Sequence, residues 1–265
     1  MMTSYKSILL LLCAATVSAC GDNAVQKITD PGSGSFIKFH NFAVGAPGVN
    51  FYSDGSKITA ISSTSGSESA TGTTYPAAGV NGVANGSFYS SIAPGAHTFT
   101  ARIPDNATTD KGLTISTATA TLETGKYYSY FQSGFYSTTT KTADAFVIED
   151  PFIPTFDYTV AYVRLVNASS NSQPLTLYAK NTTSLVETAE GGAVAYKSGG
   201  DFVAIPQGIY DLSGRYTGSS TNTVFKSAVS LLAGRVYTVT ALGDATLSTT
   251  GTAGTRIVFN VTANR

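Results

Sequence analysis

Apolar and polar residues alternate almost one for one along FIKFHNF (36–42), HTFTARI (97–103), TISTATATL (114–122), YVRLVNA (162–168) and VYTVTAL (236–242). That period of two is the signature of a strand with one face turned to a core. No stretch places apolar residues at i, i+3, i+4 and i+7 for three turns, so the pattern predicts an all-β chain.

The same strand order occurs twice. Phe36–Asn41 aligns with Tyr162–Asn167, and Val49–Tyr52 with Leu175–Tyr178. Further on, IAPGAHTFTARI (92–103) meets AIPQGIYDLSGRY (204–216), which sets Gly95 on Gly208 and Arg102 on Arg215. LETGKYYSYF (122–131) meets LLAGRVYTVT (231–240), which sets Gly125 on Gly234 and Tyr128 on Tyr237. AFVIED (145–150) is then set against RIVFNV (256–261). Ordered coincidences of this kind indicate a tandem duplication. The glycines read as turn positions that take positive φ without a Cβ clash. About seven short strands per copy, with frequent turns, suit an immunoglobulin-like sandwich.

The expected organisation is two β-sandwich domains, residues 36–150 and 161–265, joined by a Pro-containing linker over 151–160. Pro151 and Pro154 stiffen that linker, and Phe152, Phe156 and Tyr158 are expected to pack between the domains. Residues 57–90 read as a small-residue, polar, mobile insertion absent from the second copy.

The N-terminus departs from the strand pattern. Lys6, the apolar run Ile8–Val17 and the small residues Ser18 and Ala19 describe a signal peptide over residues 1–19. Val17-Ser18-Ala19-Cys20 resembles the bacterial lipobox, which implies diacylation of Cys20 after cleavage. The chemistry agrees with it. Cys13 leaves with the signal, so Cys20 has no partner for an intramolecular disulfide, and two or more acyl chains anchor stably where one is marginal. Residues 20–35 then form a lipidated tether. Gly21 follows the cysteine, and Asp22 stands one place too late to resemble the inner-membrane retention signal. The expected address is therefore the bacterial outer membrane or cell surface.

Composition narrows the partners. Basic and acidic residues are equal at 16 each, so nothing attracts nucleic acid. Charged residues make up 12% of the chain, and Tyr 15 and Phe 14 with Trp 0 leave a core of phenyl rings and β-branched side chains.

YVRLVNAS (162–169), the aliphatic strand LTLYAK, then IPQGIYDL and LLAGRVYTVTALG, together resemble an uncharacterised bacterial domain family whose members open VRxVNASPD. That family occurs in tandem on exported, often lipid-anchored proteins. The resemblance implies a sandwich fold and no established activity.

Candidate chemistry is sparse. His40 and His97 are the only imidazoles, and alternation turns His40 outward and His97 inward, so no shared metal site is expected. His97 stands where the second copy has Tyr210. No nucleophile elbow, zinc-binding helix or phosphate loop is present. Glu149, Asp150 and Asp157 flank the linker but lack the Asp-x-Asp spacing of a calcium loop. Lys38/Arg164, Arg102/Arg215 and Lys126/Arg235 keep their charge between copies and read as solvent-facing strand positions. No metal, cofactor or catalytic residue is expected. The expectation is a non-catalytic envelope lipoprotein with a structural or interaction role, adhesive or presenting a partner, its two modules in series holding a surface off the membrane. The alternative is carbohydrate binding through exposed tyrosines, chiefly Tyr128 and Tyr130.

Overall fold

The computed structural model describes residues 34–59, 71–76 and 88–264. The signal peptide, Cys20, nearly all of the tether and most of the 57–90 insertion lie outside the described residues. Among those described, every regular element is a strand.

The first module holds β1 (Ser35–Asn41), β2 (Asn50–Ser53), β3 (Ser56–Lys57), β4 (Ser90–Ile92), β5 (Gly95–Arg102), β6 (Thr114–Leu122), β7 (Tyr127–Ser137) and β8 (Thr142–Glu149). The second holds β9 (Val160–Asn167), β10 (Leu175–Asn181), β11 (Glu187–Ala189), β12 (Ser198–Gly199), β13 (Val203–Pro206), β14 (Gly208–Tyr216), β15 (Val224–Leu231), β16 (Val236–Leu242) and β17 (Val258–Ala263). Each module is a sandwich-like pair of sheets. In the first, β4-β1-β7-β8 faces β3-β2-β5-β6; in the second, β9-β16-β17 with β12 and β13 faces β11-β10-β14-β15.

The repeat extends to register. β1 runs parallel to β7 with Phe36 opposite Tyr127, and β9 runs parallel to β16 with Tyr162 opposite Val236. Gly95 faces Leu122 as Gly208 faces Leu231. One sequence alignment needs correction. Glu149 lies opposite Tyr128 and Ala263 opposite Tyr237, so Asp150 corresponds to Asn264 and the last strands align three residues later than the sequence suggests. The glycines also divide. Gly125 and Gly234 have φ of 76° and 71°, as a left-handed turn requires, and Gly95 is also positive. Gly208 is not, and serves by size, since a Cβ there would meet Asn181 at 2.9 Å.

Inward residues of each sandwich form its core. Ile37, Phe39, Phe51, Phe99, Tyr128 and Tyr130 meet in the first module. Val163, Leu165, Leu177, Leu212 and Val239 meet in the second. A third apolar cluster belongs to neither sandwich alone, because it joins Phe42, Phe131 and Phe146 to Val166, Ala168 and Leu242. The outward faces of β1, β7 and β8 therefore pack on those of β9, β16 and β17. The modules lie side by side and not in series. β1, β7, β9 and β16 are consequently buried on both faces, with every residue of β16 buried.

This topology sorts the loops into two poles. β8 is antiparallel to β7, so it ends beside the starts of β7 and β1. Gly34, the linker and the turn at Gly125 share that proximal pole, where the Gly125 N–H donates to the Gly34 carbonyl. The second module is oriented alike, with Val160, the Gly234 turn and Asn264 together. Loops 42–49, 103–113, 138–141, 168–174 and 243–257 gather at the distal pole.

Candidate functional site: a buried ionic seam between two poles

The seam between the modules is polar where the two first strands begin. Arg164 on β9 and Asp150 after β8 form an ion pair with side chains 2% and 0% exposed. The guanidinium also donates from Nη1 to the Glu149 carbonyl (3.0 Å) and from Nε to Thr238 Oγ1 (3.2 Å). It lies 4.7 Å from the centre of the Phe202 ring. Asp150 accepts further hydrogen bonds from Ser129 Oγ (2.7 Å) and the Tyr89 hydroxyl (2.6 Å).

The same positions of the other copy make the reciprocal contact. Lys38 on β1, the counterpart of Arg164, donates from Nζ to Oδ1 of Asn264, the counterpart of Asp150, at 2.7 Å. Asn264 Nδ2 donates to Thr238 Oγ1 at 2.9 Å, the reverse direction of the bond at the equivalent positions, where Ser129 Oγ donates to Asp150. Each first strand thus sends its cation to the end of the other module's last strand. That reciprocity is the signature of an isologous, two-fold-like interface, here within one chain. Lys38 and Arg164 are 1% and 2% exposed, so the solvent-facing assignment for that pair is wrong. Alternation located the outward face correctly, but the other module covers it. Lys126 and Arg235 do reach the surface. Arg102 and Arg215 lie over the rings of Tyr52 and Tyr178, at 4.5 and 4.4 Å.

Toward the distal pole the seam closes with Tyr196. Its hydroxyl is 2.8 Å from Ser133 Oγ and donates to Asp144 Oδ2 at 3.1 Å, while Lys197 pairs with Asp144 at 2.7 Å. His40, 1% exposed, stacks on Phe131 with ring centres 4.6 Å apart.

The asparagine of the VNAS run has a structural task in both copies. Asn41 Nδ2 donates to the carbonyls of Pro47 (3.1 Å) and Thr73 (2.8 Å). Asn167 Nδ2 donates to Ser172 Oγ (2.9 Å) and the Val194 carbonyl (3.2 Å). Thr73 and Val194 are equivalent, bridging Val49 and Leu175.

His97 copies Tyr210. The Tyr210 hydroxyl donates to the Pro206 carbonyl at 2.7 Å, and His97 Nε2 lies 2.7 Å from the carbonyl of the equivalent Ala93. Its other nitrogen, Nδ1, is 2.6 Å from Asp54 Oδ2 and 3.1 Å from Ser53 Oγ. Serine, histidine and aspartate therefore meet, but serine and aspartate share one nitrogen and a carbonyl holds the other. A hydrolase triad needs the hydroxyl and the acid on opposite nitrogens, so this cluster works as a latch between β2 and β5. The Thr98 N–H and His97 hold the Asp54 carboxyl below its ordinary range.

Several expected sites are placed elsewhere. Tyr128 and Tyr130, the carbohydrate candidates, are 6% and 0% exposed. The Tyr128 hydroxyl accepts the Glu123 N–H (3.0 Å), as Tyr237 accepts that of Leu232 (3.1 Å). Tyr130 meets Ser116 Oγ at 2.9 Å, and burial pushes its hydroxyl well above the ordinary tyrosine pKa. Neither ring offers a face to a sugar. Of the linker aromatics, Phe152 and Tyr158 are 70% and 77% exposed, and Phe156 packs on Tyr158 and Tyr162 with ring centres 4.8 and 5.0 Å apart. Asp150 is committed to Arg164, Glu149 pairs with Lys126 and Asp157 caps Thr159. No cluster of three metal-ligating side chains occurs among the described residues.

The distal pole carries a groove of about 680 Å³ in the first module, lined by Gly45, Pro47, Pro104, Thr108, Tyr136 and Lys141 among others. Lys141 pairs with Asp110 across it. Both have positive φ, 57° and 51°, an uncommon conformation for residues other than glycine.

A family described as Domain of unknown function (DUF4397) matches residues 161–259, within the second module. No curated protein matches the chain.

Proposed function

We propose that the protein is a non-catalytic lipoprotein of the bacterial outer membrane or cell surface, anchored through diacylated Cys20. In this reading two immunoglobulin-like sandwiches are locked into one rigid body that presents its distal loops to an envelope partner. The reciprocal Lys38–Asn264 and Arg164–Asp150 seam carries the proposal. Tandem modules ordinarily move against each other. A chain that commits two buried cations to preventing this gains a fixed geometry between its poles. The strained Asp110–Lys141 pair marks the groove as the presenting surface, because backbone strain concentrates at functional sites. Carbohydrate capture through Tyr128 and Tyr130 is set aside because both rings are buried.

Two measurements test this. Mass spectrometry of the membrane fraction should find an acylated N-terminal Cys20, and Cys20→Ser should free the protein from the membrane. A photo-reactive residue in place of Thr108 should cross-link one envelope partner in living cells, and one in place of Ser230 should not. Equal cross-linking from both positions would contradict presentation by the distal pole.

A further inference from the structure

Of the nine large apolar side chains exposed among the described residues, six gather at one end of the molecule, while Phe88, Phe135 and Phe225 lie apart from them. Leu185 and Val186, in the turn after β10, are 66% and 60% exposed. Ile209 at the start of β14, Leu232 in the turn before β16, and Phe152 and Tyr158 in the linker are 51%, 55%, 70% and 77% exposed. Strand direction puts all six at the proximal pole. The Thr182 N–H donates to the Ile209 carbonyl, which holds the Leu185 turn beside β14. Leu185 is itself at φ 60°, so backbone strain is spent on an exposed leucine. Scattered surface leucines need no explanation, but an apolar patch gathered at one end marks a contact.

Chain connectivity names the occupant. Gly34 lies at the same pole, and thirteen residues lie between it and Cys20. At about 3.3–3.6 Å per extended residue, the pole stays within roughly 50 Å of the acyl chains. We infer that the proximal pole rests on the bilayer surface in which Cys20 is anchored, with its leucines, isoleucine, valine and two aromatic rings in the headgroup region. This rests on the lipoprotein reading above. Tyrosine, with a polar end on an apolar ring, favours that depth. The acyl chains already supply the anchoring energy, and tethering raises the local concentration of the pole at the membrane into the millimolar range. The patch therefore has only to orient the body, not to bind it. Charged residues of both signs stand there, Lys126, Lys180 and Arg235 beside Glu123, Glu149, Asp157 and Glu187, with no excess of cations, so seating requires no anionic lipid. The distal groove is then carried one sandwich length above the surface.

With no tryptophan in the chain, a single introduced indole reports unambiguously. The acylated protein carrying Tyr158→Trp is reconstituted into neutral phosphatidylcholine vesicles with brominated acyl chains. Its emission should shift to the blue and fall roughly twofold, as for an indole at the interface. Phe225→Trp, near the distal end of β15, should do neither. Adding Leu185→Glu and Leu232→Glu to the Tyr158→Trp protein should abolish the quenching while the protein still floats with vesicles. Flotation without quenching of Tyr158→Trp would overturn the inference and leave the lipid anchor standing. Flotation unchanged by Cys20→Ser would instead overturn the anchor. A blue shift in detergent, with a dimeric sedimentation coefficient and no lipid quenching, would assign the patch to a second copy and also overturn it.

Discussion

Removal of the Asp150 carboxylate isolates the energetic weight of the seam. In Asp150→Ala the Arg164 guanidinium stays buried at 2% exposure, with the Glu149 carbonyl and Thr238 as hydrogen-bond partners, but it loses its carboxylate. Ser129 and Tyr89 lose the acceptor to which they donate at 2.7 and 2.6 Å. Breaking a buried pair from one side costs about 3–5 kcal/mol, whereas an exposed pair is worth about 0.2–1 kcal/mol. Arg164→Met should cost a similar amount, because it strands the carboxylate. The double variant Arg164→Met/Asp150→Leu removes both charges and fills the volume, so it should lose less than either single change. Equilibrium urea unfolding of the full-length protein, followed by far-ultraviolet circular dichroism, measures all three. The singles should also weaken the coupling between the two sandwiches, because each has its own core and the Arg164–Asp150 pair is one of the contacts that join them, beside the Phe42–Leu242 apolar cluster. Single losses below about 1 kcal/mol, additive in the double variant, would mean the pair is solvated. The modules would then not be locked.

Two further changes probe the repeated local devices. Asn41→Ala and Asn167→Ala each remove at least three hydrogen bonds of a buried amide, two donated and one accepted, and each should cost about 3 kcal/mol by urea unfolding; a loss in only one copy would refute the equivalence drawn between them. His97→Tyr should destabilise the first module less than His97→Ala, because a tyrosine can donate to the Ala93 carbonyl as Tyr210 does to Pro206 while losing the Asp54 and Ser53 contacts. The Asp54 carboxyl is held below its ordinary value in the fold by the Thr98 N–H and His97. Its contribution is therefore present above about pH 4 and lost as pH falls through the folded value. The stability difference between wild type and Asp54→Asn should shrink on acidification below pH 4, and a difference independent of pH would contradict the latch.

Much of this fold is legible in the alternation. The strands around Phe36, Phe99, Tyr162 and Val236 lie where period two places them, and the pairing of Gly125 with Gly234 follows from turn chemistry in both copies. His97 in the place of Tyr210 could be read as well, since both side chains reach the carbonyl four residues back. What covered the outward faces could not. Lys38, His40, Ser129 and Ser133 on alternate positions look like a solvated sheet face, because alternation reports which side a residue takes and not what lies beyond it. The available signal was apolar. Phe131, Phe146, Val166 and Leu242 occupy those same outward faces, and phenylalanines beside a lysine on an outward face imply a covering partner. The last strand lies three residues later than the local pattern suggests because the segment from Gly243 to Arg256 is longer than the β7–β8 connection that follows the equivalent Gly134. Its register is fixed by pairing with β16 and not by local pattern.

Residual dipolar couplings test the locked body most directly. Backbone N–H couplings are measured for the Cys20→Ser protein in a dilute aligning medium, and an alignment tensor is fitted to each sandwich separately. The seam predicts that both sandwiches report one tensor, equal in magnitude and orientation once the structure is superposed. Two tensors of different magnitude would show modules tumbling with their own averaging about the 151–159 linker, and would contradict the account.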